Sequence, residues 1–192
     1  MRPLPNAWAA HACLDLVNSR WMDHLGSGVA HDRLVLAEWR RAFFSHWGLL
    51  ETEAADAAET LEELRALRRL LRGLLEAFSR RQPLPAAEVE ALNAVLADSP
   101  RAWRLETTGG RPHLVEVVLR PGRRRALAEV AASGARLLAT GDPHRLRICA
   151  NPDCSWMFYD DSRGGSRRWC EAGVCGSLIK VRRHRARRRD PA

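Results

Sequence analysis

The sequence predicts a mainly α-helical N-terminal body with one β-hairpin, followed by a small cysteine-rich module that ends in a basic helix. Three observations predict it. Leucines recur at three- and four-residue steps along the middle of the chain, two strand-like runs flank a Gly-Gly pair, and four of the five cysteines crowd into the last quarter before an arginine-rich tail. With 192 residues, 46% of them hydrophobic and 28% charged, the chain is long enough to bury a core and has the composition of an ordinary soluble protein.

Ala12 to Ser19 is an apolar run broken by Asp15 and Asn18, and it suits a short helix. Gly26, Ser27 and Gly28 mark a loop. Asp32 is placed to cap a helix carrying Leu34, Leu36, Trp39, Phe43, Phe44 and Trp47, with Gly48 ending it. Thr52 to Gln82 is the clearest helical stretch, since Leu61, Leu64, Leu67, Leu71, Leu74, Leu75 and Phe78 form one stripe, and its Ala-rich start is readable as a separate short helix. Pro83-Leu84-Pro85 stops it and opens another helix, with Val89, Leu92, Val95 and Leu96 on one face, ending near Asp98-Ser99-Pro100. Trp103 to Thr107 and Leu114 to Leu119 are the only strand-like runs of the body, and Gly109-Gly110 turns one into the other. From Pro121-Gly122 to Ala139 an amphipathic helix carries Leu127, Val130, Leu137 and Leu138. Gly141-Asp142-Pro143 then punctuates the chain, giving an expected division into a helical domain, 1–143, and a cysteine-rich domain, 144–192.

No apolar run approaches the roughly 20 residues that span a bilayer, and the opening Met1-Arg2-Pro3-Leu4-Pro5-Asn6 lacks a long apolar stretch with a cleavage site. No membrane partner is expected, and a cytoplasmic location is the default. The net charge is +8. Between Arg145 and Arg189 there are 12 Arg or Lys against 4 Asp or Glu, which leaves 19 basic and 19 acidic residues elsewhere. The positive charge therefore belongs to the tail. Such asymmetry points to a polyanion-binding end on a neutral body, the plainer reading being a solubilising tail.

The cysteines run Cys149-x4-Cys154-x15-Cys170-x4-Cys175. Two short loops that each supply two thiolates satisfy the tetrahedral demand of zinc with little backbone ordering, and Asn151, Pro152, Asp153 and Gly173 are turn formers within them. A structural Zn²⁺ held by Cys149, Cys154, Cys170 and Cys175 is expected; redox cysteines or an iron-sulfur cluster are the alternatives. A closed thiolate shell disfavours a catalytic metal. His144 and His184 lie near enough in sequence to replace a cysteine but read better as surface residues. Cys13, alone in an apolar context, reads as a small core residue. Trp156, Met157, Phe158, Tyr159 and Trp169 are expected to form the apolar cluster around the metal rather than to stack on bases.

After Cys175-Gly176, Ser177 is placed to cap a helix of about three turns that Leu178, Ile179 and Val181 anchor on the zinc core. Lys180, Arg183 and Arg187 line one side of it, Arg182, Arg185 and Arg189 an adjacent one, and Arg163, Arg167 and Arg168 widen the basic region. Dense arginine on a helix fits the phosphate backbone of DNA, and arginine also forks onto guanine edges.

Cys149-Ala-Asn-Pro-Asp-Cys154, Phe158-Tyr159-Asp160-Asp161-Ser162-Arg163, Arg167-Arg168-Trp169-Cys170 and Cys175-Gly176 with Lys180-Val181-Arg182-Arg183-His184 together resemble the CGNR zinc-finger family. More weakly, Cys13-Leu14-Asp15-Leu16-Val17-Asn18, Trp39, Leu64-Arg65 and Leu92-Asn93 are similar to the ABATE domain that precedes this finger in bacterial proteins. The resemblance covers nearly the whole chain and implies a stress-related transcription regulator that binds DNA. It departs at the motif that names the family, since Cys-Gly-Asn-Arg is here Cys175-Gly176-Ser177-Leu178. The ligand is kept, while the amide and guanidinium are lost or their work moves to a neighbour such as Lys180.

The expected function is a zinc-dependent DNA-binding regulator whose body senses a small-molecule effector or forms a homodimer; the alternative is a zinc-stabilised protein-interaction adaptor. Asp15, Asn18, Arg65 and Asn93, polar among apolar neighbours, are the candidate effector contacts, although each also suits a cap or an ion pair. No nucleophile elbow, phosphate loop or His-Glu-x-x-His pattern occurs, and the spacings of His11, His24, His31 and His46 match no metal motif, so an enzyme is not expected.

Overall fold

The computed structural model describes residues 11–24, 26–49, 56–119 and 122–189, without the side chains of residues 118, 187 and 189. Helix α3, Ala58–Ser79, forms where the leucine stripe runs, and Leu64, Leu67, Leu71, Leu74 and Leu75 are all buried. Residues 52–55, the start of the expected helical stretch, lie outside the described residues. Against this stripe pack α1, Ala12–Val17, every residue of which is buried, and α5, Arg123–Thr140, through Ala126, Leu127, Val130, Ala131 and Leu137. Gly134 lets α5 approach α3 closely, since a Cβ there would collide with Leu71 Cδ2.

Helix α2, Ala37–His46, contributes Trp39 and Phe43, stacked at 5.2 Å, and α4, Ala86–Ala97, covers the core with Leu92. The chain is mainly α, as the leucine periodicity predicts. Asp32 does cap, but at a different element: its carboxylate accepts from Leu34 N–H, opening a 3-10 turn at Arg33–Val35. The extended Leu36, φ −87° and ψ 111°, separates that turn from α2.

The expected hairpin is present, with β3 as Arg101–Thr108 and β4 as Arg111–Val118, joined through Gly109 and Gly110 at φ 59° and 77°. Positive φ at both turn residues is the geometry that lets a two-residue turn match strand twist. Two further hairpins correct the expectation of only one. Numbered in chain order, β1, Arg20–Met22, pairs with β2, Ala30–Asp32, and β5, Leu146–Ile148, pairs with β6, Met157–Tyr159. Strands of three residues are too short to show a period-two pattern, so tertiary packing selects them.

The β5-β6 hairpin connects the body to the cysteines. Leu146 and Met157 are buried in the same core cluster as the leucines of α3, with Ile148 and Tyr159 packed against it. Trp156 and Phe158, of opposite parity along the strand, pack instead with the four cysteines and Trp169. The five aromatic and apolar residues expected around the metal are thus divided by strand alternation, Met157 and Tyr159 going to the body.

Candidate metal centre and basic surface

Cys149 follows β5, Cys154 closes a turn in which Cys154 N–H donates to the Asn151 carbonyl at 2.9 Å, Cys170 precedes a π turn at Ala172–Gly176, and Cys175 lies within it. All four Sγ atoms lie within 4.8 Å of one another, with Cys154 to Cys170 at 3.8 Å and Cys170 to Cys175 at 3.6 Å. A tetrahedral zinc with bonds of about 2.3 Å places its sulfurs roughly 3.8 Å apart, so the donor set fits that ion. No cystine joins them, and no histidine belongs to the cluster among the described residues.

Crowding four thiols forces them to share protons. The hydrogen bond with Cys154 drives the Cys149 thiol far down, while those with Cys149 drive Cys154 and Cys170 far up. A bound dication removes this conflict by favouring the thiolate at every position. Amide donors support the sulfurs: Cys170 N–H points at Cys149 Sγ at 3.5 Å and Asn151 Nδ2 at Cys175 Sγ at 3.6 Å. Such donors disperse thiolate charge and fix ligand orientation. Cys13 is fully buried in the body core, where burial pushes its thiol up to about 11, leaving it inert.

Asn151 and Asp160 are organising residues that sequence reasoning passes over as functional. Asn151, fully buried, accepts Asp153 N–H at 3.2 Å and so shapes the first cysteine loop. Asp160, also fully buried, accepts the backbone N–H of Ser162 at 3.1 Å and of Arg167 at 2.7 Å, which fixes the loop bearing Arg163 and Arg168. Burial opposes its charge, but these bonds and the Ser162 hydroxyl hold the carboxyl below its ordinary range. As one of the few acids in a basic tail, Asp160 could have been singled out.

Helix α6, Ser177–Arg189, continues directly from the π turn. Ser177 is therefore not its cap: it has helical dihedrals, φ −65° and ψ −42°, and its hydroxyl donates back to the Ala172 carbonyl. Leu178 and Ile179 are half-buried, but Val181 is 47% exposed and anchors nothing. Lys180, Arg183 and Arg185 are exposed, as are Arg163 and Arg168. Arg182 bends back to an ion pair with Asp153, and the side chain of Arg187 lies outside the described ones. Arg167 is committed to the finger itself, donating to the carbonyls of Trp169 and Cys170 and lying 4.6 Å from the Phe158 ring. Gly176 sits against Trp169, where a Cβ would approach Cδ1 to 3.0 Å.

The four candidate effector contacts are not brought together. Asp15 is buried and accepts the Trp47 indole N–H at 3.0 Å; Asn18 is buried in hydrogen bonds to Met157; Asn93 is exposed on α4. Arg65 alone lines a cleft, of about 800 Å³, between α3, the β1-β2 hairpin and Ser155. Arg20, Arg68, Arg69 and Arg72 line it too. Arg68 is bidentate on Asp32, at 2.6 and 2.7 Å, and Arg65 pairs with Glu62 at 2.7 Å. The guanidinium groups of Arg20 and Arg69 meet no acidic partner among the described residues.

This geometry defines a helical body that carries a tetrathiolate zinc finger with a basic helix at its end. The ABATE family model, described as "Putative stress-induced transcription regulator", matches residues 10–141, and the CGNR zinc-finger model matches residues 145–188. The chain belongs to the ABATE family, and its C-terminal part is a CGNR zinc finger. The comparison with curated proteins found no match. Among the described residues no helix is long and apolar enough to cross a membrane.

Proposed function

We propose that the protein is a cytoplasmic, non-enzymatic transcription regulator that binds DNA through α6 and the loop before Cys170. The observation that carries this reading is the exposure of Lys180, Arg183, Arg185, Arg163 and Arg168 on one zinc-organised module, none with an acidic partner among the described residues. Unpaired cationic groups on a rigid scaffold release counterions when they meet phosphates, which drives binding without requiring sequence readout. The zinc supplies rigidity rather than chemistry.

The arginine cleft supports adding an effector site on the body to this reading. A small anion bound between Arg20 and Arg69 would touch the body on one side and Ser155, next to the ligand Cys154, on the other. Binding there would bias how the finger sits on the body.

The test is a titration of zinc-loaded full-length protein against labelled duplex DNA at two salt concentrations. With about six phosphate contacts, affinity falls by a factor on the order of 1000 between 50 and 200 mM salt. Chelation and Cys170→Ser should abolish binding. Well-folded, zinc-loaded protein that ignores DNA at low salt would overturn the reading in favour of an adaptor.

A further inference from the structure

The β3-β4 hairpin carries three large apolar side chains in solvent: Trp103 is 68% exposed, Leu105 69% and Leu114 60%. They share one face, since Leu105 pairs directly with Leu114 and Trp103 lies two residues before Leu105. The opposite face supplies only the half-buried Ala102, Val115 and Val117. A two-stranded ribbon with an exposed apolar face is marginal alone and gains from additional strands.

The hydrogen-bond phase shows which edge is open. Leu119 N–H donates to the Pro100 carbonyl at 3.0 Å, so by alternation Ala102, Arg104, Glu106 and Thr108 direct their backbone groups inward to β4. Trp103, Leu105 and Thr107 then direct theirs outward from β3. On β4 the outward positions include Pro112, which has no N–H to offer, so that edge is blocked.

We propose that β3 pairs antiparallel with β3 of a second copy of this chain, about a two-fold axis through Leu105. That register sets Leu105 beside the partner's Leu105, and each Trp103 beside the partner's Thr107, as hydrogen-bonded pairs. It also sets Arg104 opposite the partner's Glu106, and Glu106 opposite the partner's Arg104. Like charges meet nowhere along these central positions, and the apolar face runs unbroken from Leu114 to the partner's Leu114. Because Pro112 closes the outer edge, the sheet stops at four strands and the assembly is a closed dimer rather than a fibre.

This goes beyond the DNA-binding reading above, and self-association is measured without DNA, so either can fail alone. The experiment is sedimentation velocity on full-length, zinc-loaded protein. Wild type is expected to be a dimer. Arg104→Glu and Glu106→Arg, both at exposed positions, should each weaken it on the order of tenfold or more, since two facing pairs turn repulsive at once. An equimolar mixture of the two variants should recover a one-to-one heterodimer. A wild-type monomer at the highest soluble concentration, single variants as dimeric as wild type, or a mixture no tighter than its components would each overturn the proposal.

Discussion

Asn18 grips the backbone of Met157 with both ends of its amide: Nδ2 donates to the Met157 carbonyl at 2.8 Å, and Met157 N–H donates to Oδ1 at 2.9 Å. The side chain stands in for a neighbouring strand on the free edge of β6. It ties the end of α1 to the zinc-bearing hairpin across 139 residues of sequence.

Replacing Asn18 by alanine leaves the buried N–H and C=O of Met157 without partners. The expected cost is about 3 kcal/mol, because each unsatisfied buried group forfeits its desolvation. Denaturant unfolding of the zinc-loaded protein reads it, and an unchanged midpoint would refute the assignment. Leu is no rescue, whereas Gln, a methylene too long, should recover little.

Zinc removal is expected to unfold the finger and to destabilise the body with it, since Leu146 and Met157 belong to the body core. Zinc-finger peptides place the metal contribution on the order of 10 kcal/mol. Metal analysis should give one zinc per chain, and Cys170→Ser should lose it. If chelation leaves near-ultraviolet dichroism and the melting curve untouched, the metal is not structural.

Acid should weaken the body through Asp32. Burial works against its charge, but the hydrogen bonds and charge of Arg68 outweigh burial and hold the carboxyl below its ordinary range. A carboxyl depressed in the folded state contributes fully above the unfolded value of about 4 and loses that contribution as pH falls through the folded value. Asp32→Asn should therefore flatten the acid limb of the stability profile. It should also cost about 3 kcal/mol at neutral pH by stranding the buried Arg68. A variant with wild-type acid sensitivity would exclude this pair as its source.

Two arginines one residue apart should behave differently when neutralised. Arg183→Ala is expected to lower DNA affinity and to reduce the salt slope by roughly 1, with folding unchanged. Arg182→Ala removes the ion pair with Asp153 and should loosen the first cysteine loop. Parallel melting and DNA titrations separate the two outcomes, and identical behaviour would contradict the exposed and tethered roles assigned here.

The long helices and the metal ligands were legible because their signals are local: α3 repeats its leucines from Leu61 to Leu75, about four turns, and the cysteine spacing is a chemical requirement on a short loop. Positions decided by partners far along the chain were not. Nothing near Asn18 announces that its amide reads the backbone of residue 157, and nothing near Arg167 shows that it braces the Trp169 and Cys170 carbonyls rather than facing solvent. The four polar candidates of the body illustrate the same limit, for residue type marks them as unusual while only folding shows that Asp15 and Asn18 are spent on structure.

Strand β6 has two owners. Met157 and Tyr159 are furniture of the helical body, and Trp156 and Phe158 belong to the cysteine cluster, within four consecutive residues. A finger transplanted by a cut at residue 143 would arrive with four bare side chains, Leu146, Ile148, Met157 and Tyr159, and leave a hollow beside α1. Recombination between relatives therefore cannot treat the finger as a cassette: its socket, α1 with Asn18, has to travel with it.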